Sequence, residues 1–341
     1  MTGLNVGIIG LGVGEKHIDG FERSGNARVI RICDIDAAKL ADVSSRHPAS
    51  EITSEPLDIL GDPEIDVVSI ASYDDCHRDQ IVRALHNGKH VFVEKPLCLT
   101  RRELEDIGAT FRAAPQLKLS SNLILRRSPR FAELRDIIHR GDMGEVYYLE
   151  GDYNYGRLEK ITHGWRSNVG EYSVVHSGGI HLIDLILWLT GDRVVSVTAM
   201  GTGIATRGSR FEKDDQIVAL LRLASGGIAK ISSNFACVFP HHHNVQVYGT
   251  AATFVQTHHG GAVMYRSRDP EDTPEQIHSP YLGTHKGDMI PAFVDAIMNG
   301  GEPEVSAFEV FDAMAVSIAI VESVETGGEV PVEYTLAHFA H

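Results

Sequence analysis

The chain has 341 residues, 43% hydrophobic and 23% charged, and its 46 acidic against 31 basic side chains leave a net charge of −15. That balance argues against a nucleic-acid-binding surface, which needs Lys and Arg clustered against phosphate, and offers no attraction to an anionic membrane. The length predicts two domains, each able to bury its own core. Cys33, Cys76, Cys98 and Cys237 are scattered, with no C-x-x-C pair. They favour reduced thiols over a disulfide framework or a thiolate metal site. The most apolar stretch, His181 to Leu189, contains Asp184 and is too short to span a bilayer. A strand-like run from Leu4 leaves no room for a signal peptide, so the expected location is cytoplasmic.

In chain order, the first third alternates strands and helices. Leu4 to Ile9 is an apolar run ending at Gly10, followed by a helix from about Val13 to Arg23. Arg28 to Cys33 is a strand ending at Asp34, and Asp36 caps a helix to Arg46. Asp66 to Ala71 is a strand, Cys76 to Asn87 a helix closed by Gly88, and Lys89 to Val93 the next strand. Thr100 with Glu103 forms a capping-box pattern for a helix to about Ala113, and Leu117 to Ser121 is a further strand. This alternation predicts a doubly wound parallel sheet over residues 1–122.

The pattern then changes. A helix near Arg130 to His139 precedes a strand from Val146 to Tyr153, and a second helix runs from about Gly179 to Thr190. Strands follow at Val194–Met200, Gln216–Leu223, Gly227–Phe235, Asn244–Tyr248 and Thr253–Thr257; Arg266 to Lys286 reads as a long loop. Helices near Met289–Asn299 and Ala307–Glu325 end the chain. Short turns between strands predict hairpins, and hence an α/β domain with a mostly antiparallel sheet over residues 123–341.

Three groups of residues carry chemistry. Gly10-Leu11-Gly12-Val13-Gly14 joins a strand to a helix, where glycines admit a dinucleotide pyrophosphate to the helix N-terminus. Asp34, at the end of the next strand, suits the ribose hydroxyls and repels a 2′-phosphate, favouring NAD over NADP. Lys95, in Glu94-Lys95-Pro96, follows a buried strand at the end where open α/β sheets bind ligands. In Ser177-Gly178-Gly179-Ile180-His181-Leu182-Ile183-Asp184, His181 and Asp184 share a helix face. Lys95, His181 and Asp184 supply a cation, a base and an acid, the minimum for moving a proton off a hydroxyl. His241-His242-His243, with His258-His259, lacks a Cys or carboxylate at ligand spacing and reads as edge-strand polarity or a substrate contact, not a metal site.

Together the Gly10/Gly12 turn, the Gly88–Leu97 segment, the Gly178–Asp184 segment and Val247-Tyr248-Gly249-Thr250 resemble the glucose–fructose oxidoreductase/inositol dehydrogenase (Gfo/Idh/MocA) family over nearly the whole chain. The resemblance implies a Rossmann domain, then an α/β domain whose open sheet face forms homodimers or homotetramers. It also implies hydride transfer between nicotinamide and a hydroxyl or carbonyl of a sugar or cyclitol. By position Lys95 and His181 are its catalytic pair, and Asp184, Ser177, Trp165, Arg166 and Asn122 face substrate. Gly10, Gly12, Val13, Gly14, Asp34, Ser72, His77, Glu94 and Lys95 are its cofactor set. The chain departs from the family at three places: Glu15 at the third fingerprint position, Tyr73 where many members carry Pro, and Ser177 where inositol dehydrogenases carry Asp. Two other readings remain. Arg126, Arg127, Arg130 and Arg157 could serve the diphosphate of a nucleotide sugar, and the fold also carries non-catalytic dinucleotide-binding regulators.

Overall fold

The computed structural model describes residues 3–256 and 261–336, so Thr257, His258 and His259 lie outside the described residues. The chain divides into two compact units. One draws on Met1–Ile124, His285–Asp312 and Thr335–His341, the other on Leu125–Thr284 and Ala313–Tyr334.

In the first unit β1 (Leu4–Ile9), α1 (Glu15–Arg23), β2 (Ala27–Cys33), α2 (Ala37–Arg46), β3 (Glu51–Thr53), α3 (Leu57–Leu60) and β4 (Val67–Ile70) lead to α4 (His77–His86), β5 (His90–Val93), α5 (Arg101–Arg112) and β6 (Leu119–Ser121). The sheet is parallel, ordered β3-β2-β1-β4-β5-β6, so the winding reverses between β1 and β4. Ligands of such sheets bind at the carboxyl ends of the strands beside that reversal. Helix boundaries follow local chemistry. Asp36 accepts from the Ala38 and Lys39 N–H groups, and Thr100 and Glu103 complete a reciprocal capping box. Ile8, Val67, Val91 and Phe92 are fully buried, each worth about 1.5–3 kcal/mol against exposure.

The second unit is built on α6 (Pro129–His139), β7 (Val146–Asn154), α7 (Glu159–Thr162), α8 (Ile180–Thr190), β8 (Val194–Thr202), β9 (Gln216–Leu223), β10 (Ile228–Asn234), β11 (His242–Gly249), β12 (Thr253–Gln256), β13 (Ala262–Tyr265) and β14 (Glu275–Ile277). With β15 (Val330–Pro331) these strands make a nine-stranded sheet ordered β14-β13-β12-β11-β7-β10-β9-β8-β15. Its neighbours are antiparallel except β7 and β10, which run parallel in register from Tyr148↔Ile228 to Asn154↔Asn234. Two expectations change. The long loop expected over 266–286 contains β14, and β11 lies between β12 and β7, so the histidines at its start are not edge-strand polarity. Leu182 packs on Gly151 of β7, whose Cβ position lies 3.3 Å from Leu182, so α8 covers that face of the sheet. On the other face Met200, Val218, Leu220 and Ile228 are exposed. The remaining helices are α9 (Ile290–Asn299), in the first unit, and α10 (Ala307–Thr326), within which the boundary between the units falls.

Candidate active site

The turn after β1 is shaped by its glycines. Gly10 has φ +86, and a Cβ there would meet the Ala71 carbonyl oxygen at 2.3 Å; at Gly14 it would meet the Gly10 oxygen at 2.1 Å. At Gly12 the nearest atom to a Cβ is Lys39 Nζ at 3.9 Å, so this backbone alone is open to a ligand. Gly14 caps α1 without a side-chain hydrogen bond, which leaves amide N–H groups and the positive end of the helix dipole for an anion. Asp34 braces the turn: Oδ2 accepts from Leu11 N–H at 2.7 Å and Oδ1 from Asp36 N–H at 2.9 Å. Glu15 is drawn away from the open side, its Oε1 accepting from Arg46 Nε at 3.0 Å and Nη2 at 2.7 Å. The departure at the third fingerprint position is thus absorbed by a cation on α2. These residues fit a dinucleotide pyrophosphate.

At the end of β5 a buried polar network surrounds Glu94. Asn122 Nδ2 donates to Glu94 Oε1 at 2.7 Å and to the Lys286 carbonyl at 2.9 Å. His17 Nε2 reaches the same Oε1 at 3.3 Å, while its Nδ1 lies 2.9 Å from Ser69 Oγ. These partners assign the proton to Nε2, with the Ser69 hydroxyl donating to Nδ1. Burial would raise the Glu94 carboxyl, but the Lys286 charge, the His17 hydrogen bond and the Lys95 charge outweigh it and hold the group well below the usual carboxylate range. Glu94 is therefore a fixed anion next to Lys95. Lys95 is joined to Pro96 by a cis peptide bond. His77, fully buried, donates from Nδ1 to the Pro96 carbonyl at 2.7 Å and turns Nε2 to the Ser72 carbonyl at 3.3 Å. Ser72 Oγ in turn donates to Gln80 at 2.8 Å.

So His77 and Ser72 clamp the segment carrying Lys95. Asn122, also fully buried, positions Glu94. Sequence reasoning missed His17 and Lys286. His17 had a faint signal, as an imidazole on the apolar face of α1; Lys286 had none, because only folding brings it to Glu94. Its approach needs two glycines, since a Cβ on Gly20 would lie 2.7 Å from the Gly287 oxygen.

In the second unit a π-helical turn, Val175–Gly179, leads into α8 and carries Ser177. Its glycines are steric requirements: a Cβ at Gly178 would strike the Tyr153 ring at 2.6 Å, and one at Gly179 would meet Ser233 Oγ at 2.3 Å. This close approach lays His181 against Tyr153, with centroids 6.2 Å apart and planes at 18°. Tyr153 also contacts Phe235, His241 and His243, at 5.8, 5.2 and 5.0 Å. His241 and His243 thus join the ring cluster beside His181, His242 packs on Tyr281, and Tyr153, Tyr155 and Phe235 are members of that cluster the sequence did not single out. Asp184 is almost wholly buried and paired with Arg126, with Nη2 to Oδ1 at 2.5 Å and Nε to Oδ2 at 3.0 Å. Arg166 lies over Trp165 at 4.5 Å and Arg157 over Tyr155 at 5.0 Å. Arg126 is thereby committed to Asp184, and Arg130 donates to the Ser279 carbonyl at 2.8 Å. Among the described residues no group of three or more His, Cys, Asp or Glu is arranged to hold a metal ion.

A parallel sheet with a glycine turn at its winding reversal, an acidic residue ending β2 and a Lys ending β5 define an NAD-binding oxidoreductase. The chain belongs to the GFO/IDH/MocA family: residues 4–121 match the oxidoreductase family's NAD-binding Rossmann fold, and residues 131–255 match the GFO/IDH/MocA C-terminal domain. Among its relatives, the uncharacterized oxidoreductase YrbE of Bacillus subtilis (strain 168) is 26% identical, covering 96% of each chain. Inositol 2-dehydrogenase 2 of Saccharopolyspora erythraea is 23% identical, covering 97% of this chain and 96% of its own. A structure of levoglucosan dehydrogenase in complex with NADH and L-sorbose superposes with a TM-score of 0.86 at 22% identity, over 97% of this chain and 99% of that one.

Proposed function

We propose that the protein is an NAD-dependent dehydrogenase of a CH–OH group on a monosaccharide, cyclitol or sugar derivative. The observation that carries this reading is Lys95 at the end of β5, fixed beside an obligate anion, Glu94, in a chain that also carries His181 on its ring-lined turn. NAD, when bound, supplies the acceptor for the hydride. His181 takes the hydroxyl proton, its side chain being of the type whose proton affinity lies near neutrality. Lys95 stabilises the negative charge developing on the same oxygen. Glu94 keeps Lys95 charged and oriented, and Asp34 favours NAD over NADP. Relatives named for inositol and levoglucosan support a ring polyol as the substrate class.

Ser177 stands where a carboxylate would charge the imidazole's surroundings, so inositol itself is the weaker candidate. The exposed Met200, Val218, Leu220 and Ile228 on the uncovered sheet face support a homodimer or homotetramer. No described helix is long and apolar enough to cross a membrane, and a cytoplasmic location stays part of the proposal. The test is NADH appearance across a panel of polyols with wild type and Lys95→Ala. Turnover should fall at least about 10³-fold in the variant, while NAD binding, followed by fluorescence titration, stays intact. Near-normal turnover in Lys95→Ala would refute the assignment.

A further inference from the structure

The glycine turn of the cofactor site is built by backbone, but a side chain also reaches it. Lys39 Nζ lies 3.9 Å from the position a Cβ would take on Gly12. The local structure of α2 does not account for a cation there. Lys39 stands in the first turn of that helix, where a positive charge opposes the dipole. The residue is half-buried, so its side chain does not simply trail in solvent.

Carboxylates surround Lys39 in sequence and on the neighbouring helix, yet each has another donor. Asp34 accepts from Leu11 and Asp36 N–H, and Asp36 from Ala38 and Lys39 N–H. Arg46 holds both Asp42 and Glu15. Among the described residues the Lys39 ammonium makes no ion pair and no hydrogen bond. An uncommitted ammonium, the amide groups opening α1 and the positive end of its dipole thus gather at the turn, in a chain of net charge −15.

We infer that Lys39 is a ligand of the bound dinucleotide: its ammonium donates to the pyrophosphate where the cofactor passes Gly12. It adds a side-chain charge to a site that glycines and a helix N-terminus would otherwise define, and this role explains a Lys at the unfavourable end of α2. No sugar takes part, so failure here leaves the dehydrogenase reading untouched.

The test is equilibrium binding to the full chain, by calorimetry, of NAD, NADP, ADP-ribose and adenosine, with wild type, Lys39→Gln and Lys39→Arg. In Lys39→Gln, NAD and ADP-ribose should each bind about 10-fold more weakly, the lower end of a hydrogen bond to a charged group. Adenosine, which carries no phosphate, should bind unchanged. Lys39→Arg, which keeps the charge, should stay within about threefold of wild type for NAD. The NAD dissociation constant should rise more steeply with added salt in wild type than in Lys39→Gln. Melting of Lys39→Gln should match or exceed that of wild type, because the lost charge opposed the helix dipole. Unchanged NAD affinity in Lys39→Gln overturns the proposal. So does an equal loss for adenosine, which would make Lys39 a structural brace. A loss confined to NADP overturns it too, since the charge would then serve a ribose 2′-phosphate.

Discussion

The cofactor turn of the first unit and the ring cluster of the second hold their groups in opposite ways. Around Gly10–Glu15 the backbone does the work. Left-handed φ at Gly10, close carbonyl packing at Gly14 and open space at Gly12 shape the site, and hydrogen bonds accepted by the Asp34 carboxylate from Leu11 N–H and donated by Arg46 to Glu15 fix it. Around His181 the side chains do the work. Tyr153 on β7, His243 on β11, and Phe235 and His241 just outside the ends of β10 and β11 are held by ring packing, over a turn whose glycines let those rings approach. A backbone-built site fails locally when one atom is added, whereas a packed site couples binding, catalysis and stability.

Breaking the buried ion pair is the strongest challenge to the packed site. Asp184→Leu leaves Arg126 charged in an almost fully buried position, and unfolding by denaturant should show a loss of about 3–5 kcal/mol. A loss well under 1 kcal/mol would show that the pair is solvated and does not organise α8. Gly178→Ala comes next. Its Cβ at 2.6 Å from the Tyr153 ring is an overpacking change, expected to cost about 1–3 kcal/mol, and it should raise the sugar KM or lower kcat without moving NAD affinity. Gly10→Ala is its counterpart. The left-handed backbone costs about 1–2 kcal/mol for any L side chain, and here NAD affinity should weaken while direct sugar binding by calorimetry holds. If both variants lost both ligands alike, the contrast between the two regions would collapse.

A smaller effect is confined to acid. Because the folded Glu94 lies well below its ordinary value of 4.5, the unfolded chain binds the proton first as pH falls. Its stabilisation is complete above pH 4.5 and is lost below, as pH drops through the folded value. Glu94→Gln should therefore show a shallower loss of stability than wild type below that pH, measured by thermal melts in parallel buffers. Parallel curves would remove Glu94 as a fixed anion.

Most of the first unit was legible because its signals are local. The glycines, the Asp36 cap, the Thr100–Glu103 box and Lys95 before Pro96 each act within a few residues. Glu51–Thr53 and Glu275–Ile277 were not, since three-residue strands whose first two side chains are exposed show no alternation. The parallel pairing of β7 with β10 was hidden too, because turn chemistry reveals only neighbours in sequence. At the site, His181 and the Ser177–Gly179 turn stood out by composition. Tyr153 looked like an ordinary strand residue, and Lys286 looked like loop charge. His77, Asn122 and Asp184 were legible as residues of interest, but their partners are buried carbonyls, Glu94 and Arg126, which only the fold supplies.

The gentlest probe concerns Glu15, the position where the fingerprint departs from glycine. Its carboxylate sits in the first turn of α1, near the opening above Gly12, and Arg46 on α2 holds it aside. Removing that cation with Arg46→Ala frees a negative charge to swing toward the place where a pyrophosphate would lie. Exposed pairs contribute little to stability, so melting should barely move, while NAD affinity should weaken by no more than about fivefold. The double variant Arg46→Ala/Glu15→Ala should recover the affinity, because the repulsion disappears with the carboxylate. Failure to recover would mean that Arg46 acts on the cofactor directly, and the turn would then depend on a side-chain cation as well as on its glycines.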